Sequence, residues 1–565
     1  MKRGFTLVEL LAVITILSLV GLIASISVAS MIKNSKSDLS EAQIKSIKIA
    51  AESWASDNVK NLPTKNNCSF ITLKDLKEEG LLDSNLKDLK TRNNISDDIK
   101  IKITSKGKKL EYEIDSKDIS NCTYIGSELY VDLPKGLTPV IYDENNWKVV
   151  DKSDPNWYNY DEQKWANAVV LGKDKIKKIG EVVTVDGENP DALMMLVYIP
   201  RFEYKIEGQY GTHTDETVGT KELPGEIDVK FINNSQNESD SDYILHPAFT
   251  FGDKEISGIW VGKFELSHSD DLKSDTSMDC RLDTCSEAQY LRVLPNKKSL
   301  RQNSISSFWY GIKSIENTNL FGLSKVDIHM IKNSEWGAVA YLSQSRYGKY
   351  GNKDYKNEYK EIYQNKSYNY TKTGLSNGTP SQTDINTQCE YNDMTSLGEG
   401  KGVCGPGAST TGNIYGVYDM SGGTYEYVMG VYGDDDGIYS GNSSSSNSGF
   451  KGKLRNNDPI TDGVDVPDPK YYDIYKTEDA LTACNNNGPC LGHALSETNG
   501  WYTDNDISVR ILWYGPHLSM VNLSHPWFKR GGNNGNGING GIFSIDSEDG
   551  PNSYFISTRF VGVTK

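Results

Sequence analysis

No Cys-x-x-Cys occurs in the 565 residues, and no histidine flanks a cysteine at zinc-site spacing, which sets aside the common zinc modules. No Gly-x-Ser-x-Gly elbow and no phosphate-binding P-loop is present, so two widespread catalytic signatures are missing. The seven histidines (His213, His246, His268, His329, His493, His517 and His525) show no H-x-x-x-E-x-x-H or other facial-triad spacing, and each reads as structural or solvated. No run of five like charges forms a tail, and no repeat of fixed period marks a solenoid. Positive charge is in deficit: the net charge is −16, which argues against a nucleic-acid partner, because phosphate binding needs a concentrated basic face.

What is present is a long chain with a polar body. At 565 residues it exceeds one ordinary domain. It is 37% hydrophobic and 24% charged, with a mean hydropathy of −0.54. Its 33 tyrosines and 51 glycines favour loop-rich recognition surfaces. The eight cysteines are even in number, which reads as four disulfides in an oxidising compartment. Neighbour pairing gives Cys68–Cys122, Cys280–Cys285, Cys389–Cys404 and Cys484–Cys490. Eight cysteines allow about 105 pairings, and the alternative is a reduced protein with scattered thiols.

The apolar residues are concentrated at the start. Phe5 to Ile32 contain a single charge, Glu9, and a helix of about 20 apolar residues can span a bilayer core. Lys2 and Arg3 precede the run, which holds the N-terminus in the cytoplasm and sends the remainder outward. The run is longer than a signal-peptide core of about 7 to 15 residues. A carboxylate in lipid is costly and normally has a partner.

Gly4-Phe5-Thr6-Leu7-Val8-Glu9 resembles the type IV prepilin signature. The resemblance implies cleavage after Gly4 by a prepilin peptidase, methylation of Phe5, and a Glu9 that pairs with the Phe5 amine of a neighbouring subunit. Such pairing removes two expensive charges together. Many pilins carry a proline where this chain has Ile26. The alternative is a plain signal anchor with a stray glutamate.

Beyond the apolar run, Ile44, Ile47, Ala51, Trp54 and Ala55 recur at helical steps up to Pro63. Ile99, Ile101 and Ile103, then Leu110, Tyr112 and Ile114, alternate with charged residues and predict a hairpin with one apolar face. The segment "CSFITLKDLKEEGLLD" between them resembles the stretch that follows the long helix in many pilins.

From about residue 128 the chain becomes rich in Gly, Asn, Ser, Tyr and Trp. Six segments, in order, resemble the formylglycine-generating-enzyme (sulfatase-modifying-factor) superfamily. They are "YIPRFEYKI", "IWVGKFELS", "MIKNSEWGAVAYLS", "NIYGVYDMSGGTYEYV", "FKRGGNNGNG" and "STRFVGV". The resemblance implies a form of the C-type lectin fold. The enzymes of that family need a cysteine pair before the final strand, and residues 533–565 contain no cysteine, so the thiol chemistry is not expected to accompany the fold. The resemblance also implies an optional calcium ion held by the side chain of Asn413 and the carbonyls of Ile414, Gly416 and Tyr418. The alternative is a glycine-rich turn held by hydrogen bonds, and no cofactor is required. Trp501, Tyr502, Trp513, Tyr514 and Trp527 are candidates for a ligand platform.

The reading is therefore an α+β protein. It has a leader (1–4), a transmembrane and filament-core helix (5–32), a pilin module (33–125), an aromatic-rich connecting region (126–189) and a large C-type-lectin-like head (190–565). The expected function is a non-catalytic minor type IV pilin, at or near the pilus tip, acting in adhesion. Its partners would be other pilin subunits, the peptidase, the membrane before assembly, and a host, surface or glycan ligand. It would sit in the cell membrane first and then outside the cell. Alternatives are a pseudopilin that primes assembly or an exported sulfatase-modifying-type enzyme.

Overall fold

The computed structural model describes residues 39–565, less 58–61, 89–94, 126–128, 208–224, 233–241, 350–361, 367–371, 376–389, 395–404, 477–489, 514–518 and scattered residues singly or in pairs. Within that range the protein is a mixed α+β fold, mostly sheet with few helices. Two hydrophobic cores form. One draws on residues from Leu39 to Ile125, and the other on residues from Val131 to Val563.

The first core is built around helix α1 (Glu41–Asp57). Ser40 and Gln43 start it with a capping box: the Ser40 hydroxyl accepts from the Gln43 N–H at 3.3 Å, and the Gln43 side chain accepts from the Ser40 N–H at 3.2 Å. Ile47, Ala51, Trp54 and Ala55 are buried along one stripe, and Ile44 is half-buried beside them. The stripe lies against a four-stranded sheet ordered Leu110–Ile114, Lys100–Ser105, Cys68–Thr72, Thr123–Tyr124. In the predicted hairpin Ile101 opposes Ile114 and Ile103 opposes Tyr112, so alternate residues present one apolar face to α1. Short helix α2 (Leu73–Glu78) buries Leu73 and Leu76 in the same core.

The second core is organised by an eight-stranded antiparallel sheet. Its order is Val326–Met330, Phe560–Thr564, Gly258–Gly262, Ala192–Pro200, Asn167–Leu171, Thr138–Asp143, Asn146–Val149, Val182–Val183. Four strands of this sheet come from residues 126–189. The chain's last strand, Phe560–Thr564, sits between two strands from mid-chain. Helix α3 (Ile305–Asn317) starts on Ser304, whose hydroxyl accepts from the Ser307 N–H. Helix α4 (Asn333–Gln344) is buried on every side, with Asn333, Ser334 and Glu335 of its first turn held in hydrogen bonds. A nine-stranded sheet centred on Tyr425–Asp434 completes this part, with Trp527–Gly531 and Gly541–Glu548 on one side. Lys74 Nζ donates to the Tyr158 hydroxyl at 2.7 Å, joining the two cores.

Candidate functional site

The segments singled out in the second part of the chain converge in space. Arg530 lies over the Trp336 ring at 5.8 Å, Trp336 Nε1 donates to the Ile542 carbonyl at 2.8 Å, and Arg559 joins Glu426, Gly262 and Tyr418. At the centre is Lys263, just past the strand Gly258–Gly262, and it is fully buried. Its ammonium donates to Asn167 Oδ1 at 2.8 Å and to the carbonyls of Ile414 at 2.7 Å and Gly416 at 2.8 Å. The rings of Trp147 and Tyr418 each lie 5.2 Å from the nitrogen. Burial pulls the amine pKa well below its usual 10.5. The three partners are all acceptors, however, and that arrangement requires the protonated form.

The four oxygens of the expected calcium site all have partners within the chain. The Ile414 and Gly416 carbonyls face the lysine ammonium. The Tyr418 carbonyl accepts from Arg559 at 2.9 Å. Asn413 Oδ1 accepts from the Thr411 hydroxyl at 2.8 Å and the Tyr415 N–H at 2.9 Å. Each of the four oxygens is engaged, and a fixed cation of the chain itself stands at two of them.

Beside Lys263, three carboxylates are buried together. Glu426 makes a two-pronged pair with Arg559, one contact being Nε to Oε2 at 3.0 Å. Asp419 Oδ1 accepts from Asn365 Nδ2 and from the Gly374 N–H, both at 2.8 Å. Glu265 accepts from the Thr424 N–H at 2.8 Å and from the Ser299 hydroxyl. Burial raises all three pKa values: Asp419 to about 6 and Glu426 to about 7, with Arg559 pulling the other way, and Glu265 well above 4.5 with the two neighbouring acids adding to the rise. Gly423, at φ +71°, is required here, because a Cβ would stand 2.5 Å from Glu265 Oε1. The arrangement ties the segments around 265, 419, 426 and 559 together through buried, paired charge.

Sequence reasoning missed a second buried cluster. His329 lies between Glu335 Oε1, at 2.9 Å from Nε2, and Asp327 Oδ1, at 3.5 Å from Nδ1. Burial lowers its pKa, but the two carboxylates outweigh that and hold it above 6.5. Asp327 and His329 sit two apart on the strand Val326–Met330, and that i, i+2 spacing was the available signal.

Of the disulfides, Cys68–Cys122 and Cys280–Cys285 are formed. Cys490 is also disulfide-bonded, whereas Cys389, Cys404 and Cys484 lie outside the described residues. Of the platform residues, Trp513 and Trp527 have described surroundings. Trp513 is buried against Phe543, ring centroids 5.7 Å apart, and Trp527 is buried 5.8 Å from Phe450, so neither ring presents a face to a ligand. Trp501 and Tyr502 belong to the strand Asn499–Asp504, and Tyr514 lies outside the described residues.

A cleft lined by Glu188, Asn189, Pro190, Ser269, Arg292 and Lys297 has a volume of about 100 Å³. That is below the roughly 300 Å³ at which small-molecule sites begin, so the cleft is not an enclosed substrate pocket. Gly4, Phe5 and Glu9 lie outside the described residues. No helix among the described residues is long and apolar enough to cross a membrane.

Residues 1–25 match the family described as the prokaryotic N-terminal methylation motif. No curated protein matches the chain. The N-terminus is thus type IV pilin-like, which implies processing by a prepilin peptidase, assembly with pilin subunits, and a membrane anchor followed by a pilus or surface location.

Proposed function

We propose that this protein is a minor type IV pilin whose large second part is a non-catalytic, lectin-type adhesive head. The observation that carries the reading is the methylation motif over residues 1–25, with Glu9 as the single charge between Phe5 and Ile32. Cleavage after Gly4 releases an α-amino cation at Phe5. In a dry bundle of helices that cation and the Glu9 carboxylate of a neighbour cancel each other's desolvation cost. The pair therefore forms on assembly and sets the axial register of the subunits.

The size of the head favours a terminal place. About 375–435 residues correspond to a radius of gyration of about 21–22 Å, too bulky to repeat easily along a thin fibre. The disulfide-braced, tyrosine- and glycine-rich loops supply recognition surface, and the ligand would be a surface protein or glycan met over an extended area.

The test compares three strains: wild type, Glu9→Gln, and a chain truncated after residue 125. The expected outcome is that Glu9→Gln is processed at Gly4 but fails to enter fibres. The truncated chain is expected to enter fibres while the cells lose attachment. Unimpaired incorporation of Glu9→Gln would refute the pilin role. Loss of all fibres on truncation would refute adhesion in favour of priming.

A further inference from the structure

A second polar cluster lies away from Lys263 and its acids, where the turn 522–525 enters the strand Trp527–Gly531 and meets the end of the strand Gly541–Glu548. His525, Glu548 and Asp549 each aim one ligand atom at a common space, all within 4.8 Å of one another. Asp549 is only 7% exposed. Its Oδ2 accepts from the Ser446 hydroxyl at 2.8 Å, but its Oδ1 is buried with no hydrogen-bond partner. A carboxylate oxygen left so is expensive. His525 Nε2 stands 3.6 Å from it, which is too long for a hydrogen bond. It is, however, the separation of two ligands on one ion: bonds of about 2.0–2.2 Å place neighbouring donor atoms about 3.3–3.6 Å apart.

We propose that His525, Glu548 and Asp549 form a binding site for a first-row divalent metal ion, Zn²⁺ foremost. One imidazole and two carboxylates, with no thiolate, match the borderline ions and suit them better than calcium, which prefers oxygen alone. The turn that carries the histidine is fixed: the His525 backbone N–H donates to Asn522 Oδ1 at 3.1 Å, and the same oxygen accepts from the Ser524 N–H at 2.8 Å. Glu548 keeps Oε2 on Lys529 Nζ at 2.9 Å, so Oε1, which takes only a 3.3 Å bond from the Asp549 N–H, is the oxygen free to turn to the ion. Its side chain is 32% exposed and can rotate the remaining distance. Three protein ligands leave a fourth position open on the solvent side, where His525 is 48% exposed. The bound ion neutralises the orphaned oxygen and pins the turn 522–525 to the neighbouring strand end.

The test uses the full chain in detergent, stripped with EDTA and titrated with Co²⁺ and then Zn²⁺. One equivalent of Co²⁺ is expected to give a visible d–d band that Zn²⁺ abolishes, and Zn²⁺ should raise the melting temperature by a few degrees while Ca²⁺ does not. His525→Ala, a largely exposed position that does not endanger folding, and Asp549→Asn should each weaken Co²⁺ binding about tenfold or more. Absence of a band in the wild-type chain overturns the proposal and leaves a water-bridged histidine–aspartate pair. A band of equal strength in His525→Ala overturns it as well, because the ion would then be bound elsewhere.

Discussion

A buried ammonium needs either a counter-charge or a complete set of acceptors. Lys263 has the second: three N–H bonds and three oxygens at 2.7–2.8 Å. Two of those oxygens are main-chain carbonyls of the segment 414–416, so the lysine acts as a covalently attached cation holding a loop to the sheet. Replacing it with methionine keeps the volume and removes the donors. Three buried acceptors then lose their partner at about 1 kcal/mol each or more. Lys263→Met is expected to lower unfolding free energy by about 3 kcal/mol, read from the urea midpoint of the full chain. A change below about 0.5 kcal/mol would mean the three contacts carry no weight.

At the scale of elements, the small sheet depends on how its central strand is fastened. Cys68–Thr72 pairs antiparallel with Lys100–Ser105 and parallel with only two residues, Thr123 and Tyr124. The Cys68–Cys122 bond, across a sequence separation of 54, holds that short parallel pairing. Closing a loop of this length is worth about 4 kcal/mol by the chain-entropy account. Replacing both cysteines by serine is expected to destabilise the α1 module by about that amount. Hydrogen exchange should then rise at Ile125, whose N–H donates to Phe70 at 2.9 Å, while the strand Ala192–Pro200 stays protected. Equal loss of protection in both sheets would show that the two cores unfold as one.

Across the whole molecule, charge buried in the second core couples folding to pH. Glu265, Asp419 and Glu426 all have folded pKa values raised above their unfolded ones. The folded state therefore holds protons that the unfolded chain has released, and this contribution to stability is lost as pH rises through about 6 to 7. His329, also raised, acts in the same direction. His246 and His493, lowered by burial, oppose it below about 6.5. A difference between variants isolates the acids. Glu265→Gln keeps an oxygen for the Thr424 N–H and removes one charge, so on going from pH 5 to pH 8 it should gain stability relative to wild type. Urea midpoints at the two pH values check it, and a gap independent of pH would sink the argument.

Local periodicity was enough to read some of this architecture from the residues. The stripe Ile47, Ala51, Trp54 and Ala55 and the alternation through Ile101, Ile103, Tyr112 and Ile114 became a helix packed on a hairpin, because both periods are set by neighbours a few residues away. The Gly-Phe-Thr-Leu-Val-Glu hexapeptide likewise carries its meaning within six positions. Tertiary structure alone decided the rest. Lys263 at the end of a strand gives no local sign that oxygens 96, 151 and 153 residues away will surround it. Strands from 138–183 and 560–564 meet in one sheet only through pairings that no window of sequence contains. Trp513 and Trp527 are buried against Phe543 and Phe450, since burial is determined by the chain that packs over a side chain and not by its neighbours in sequence.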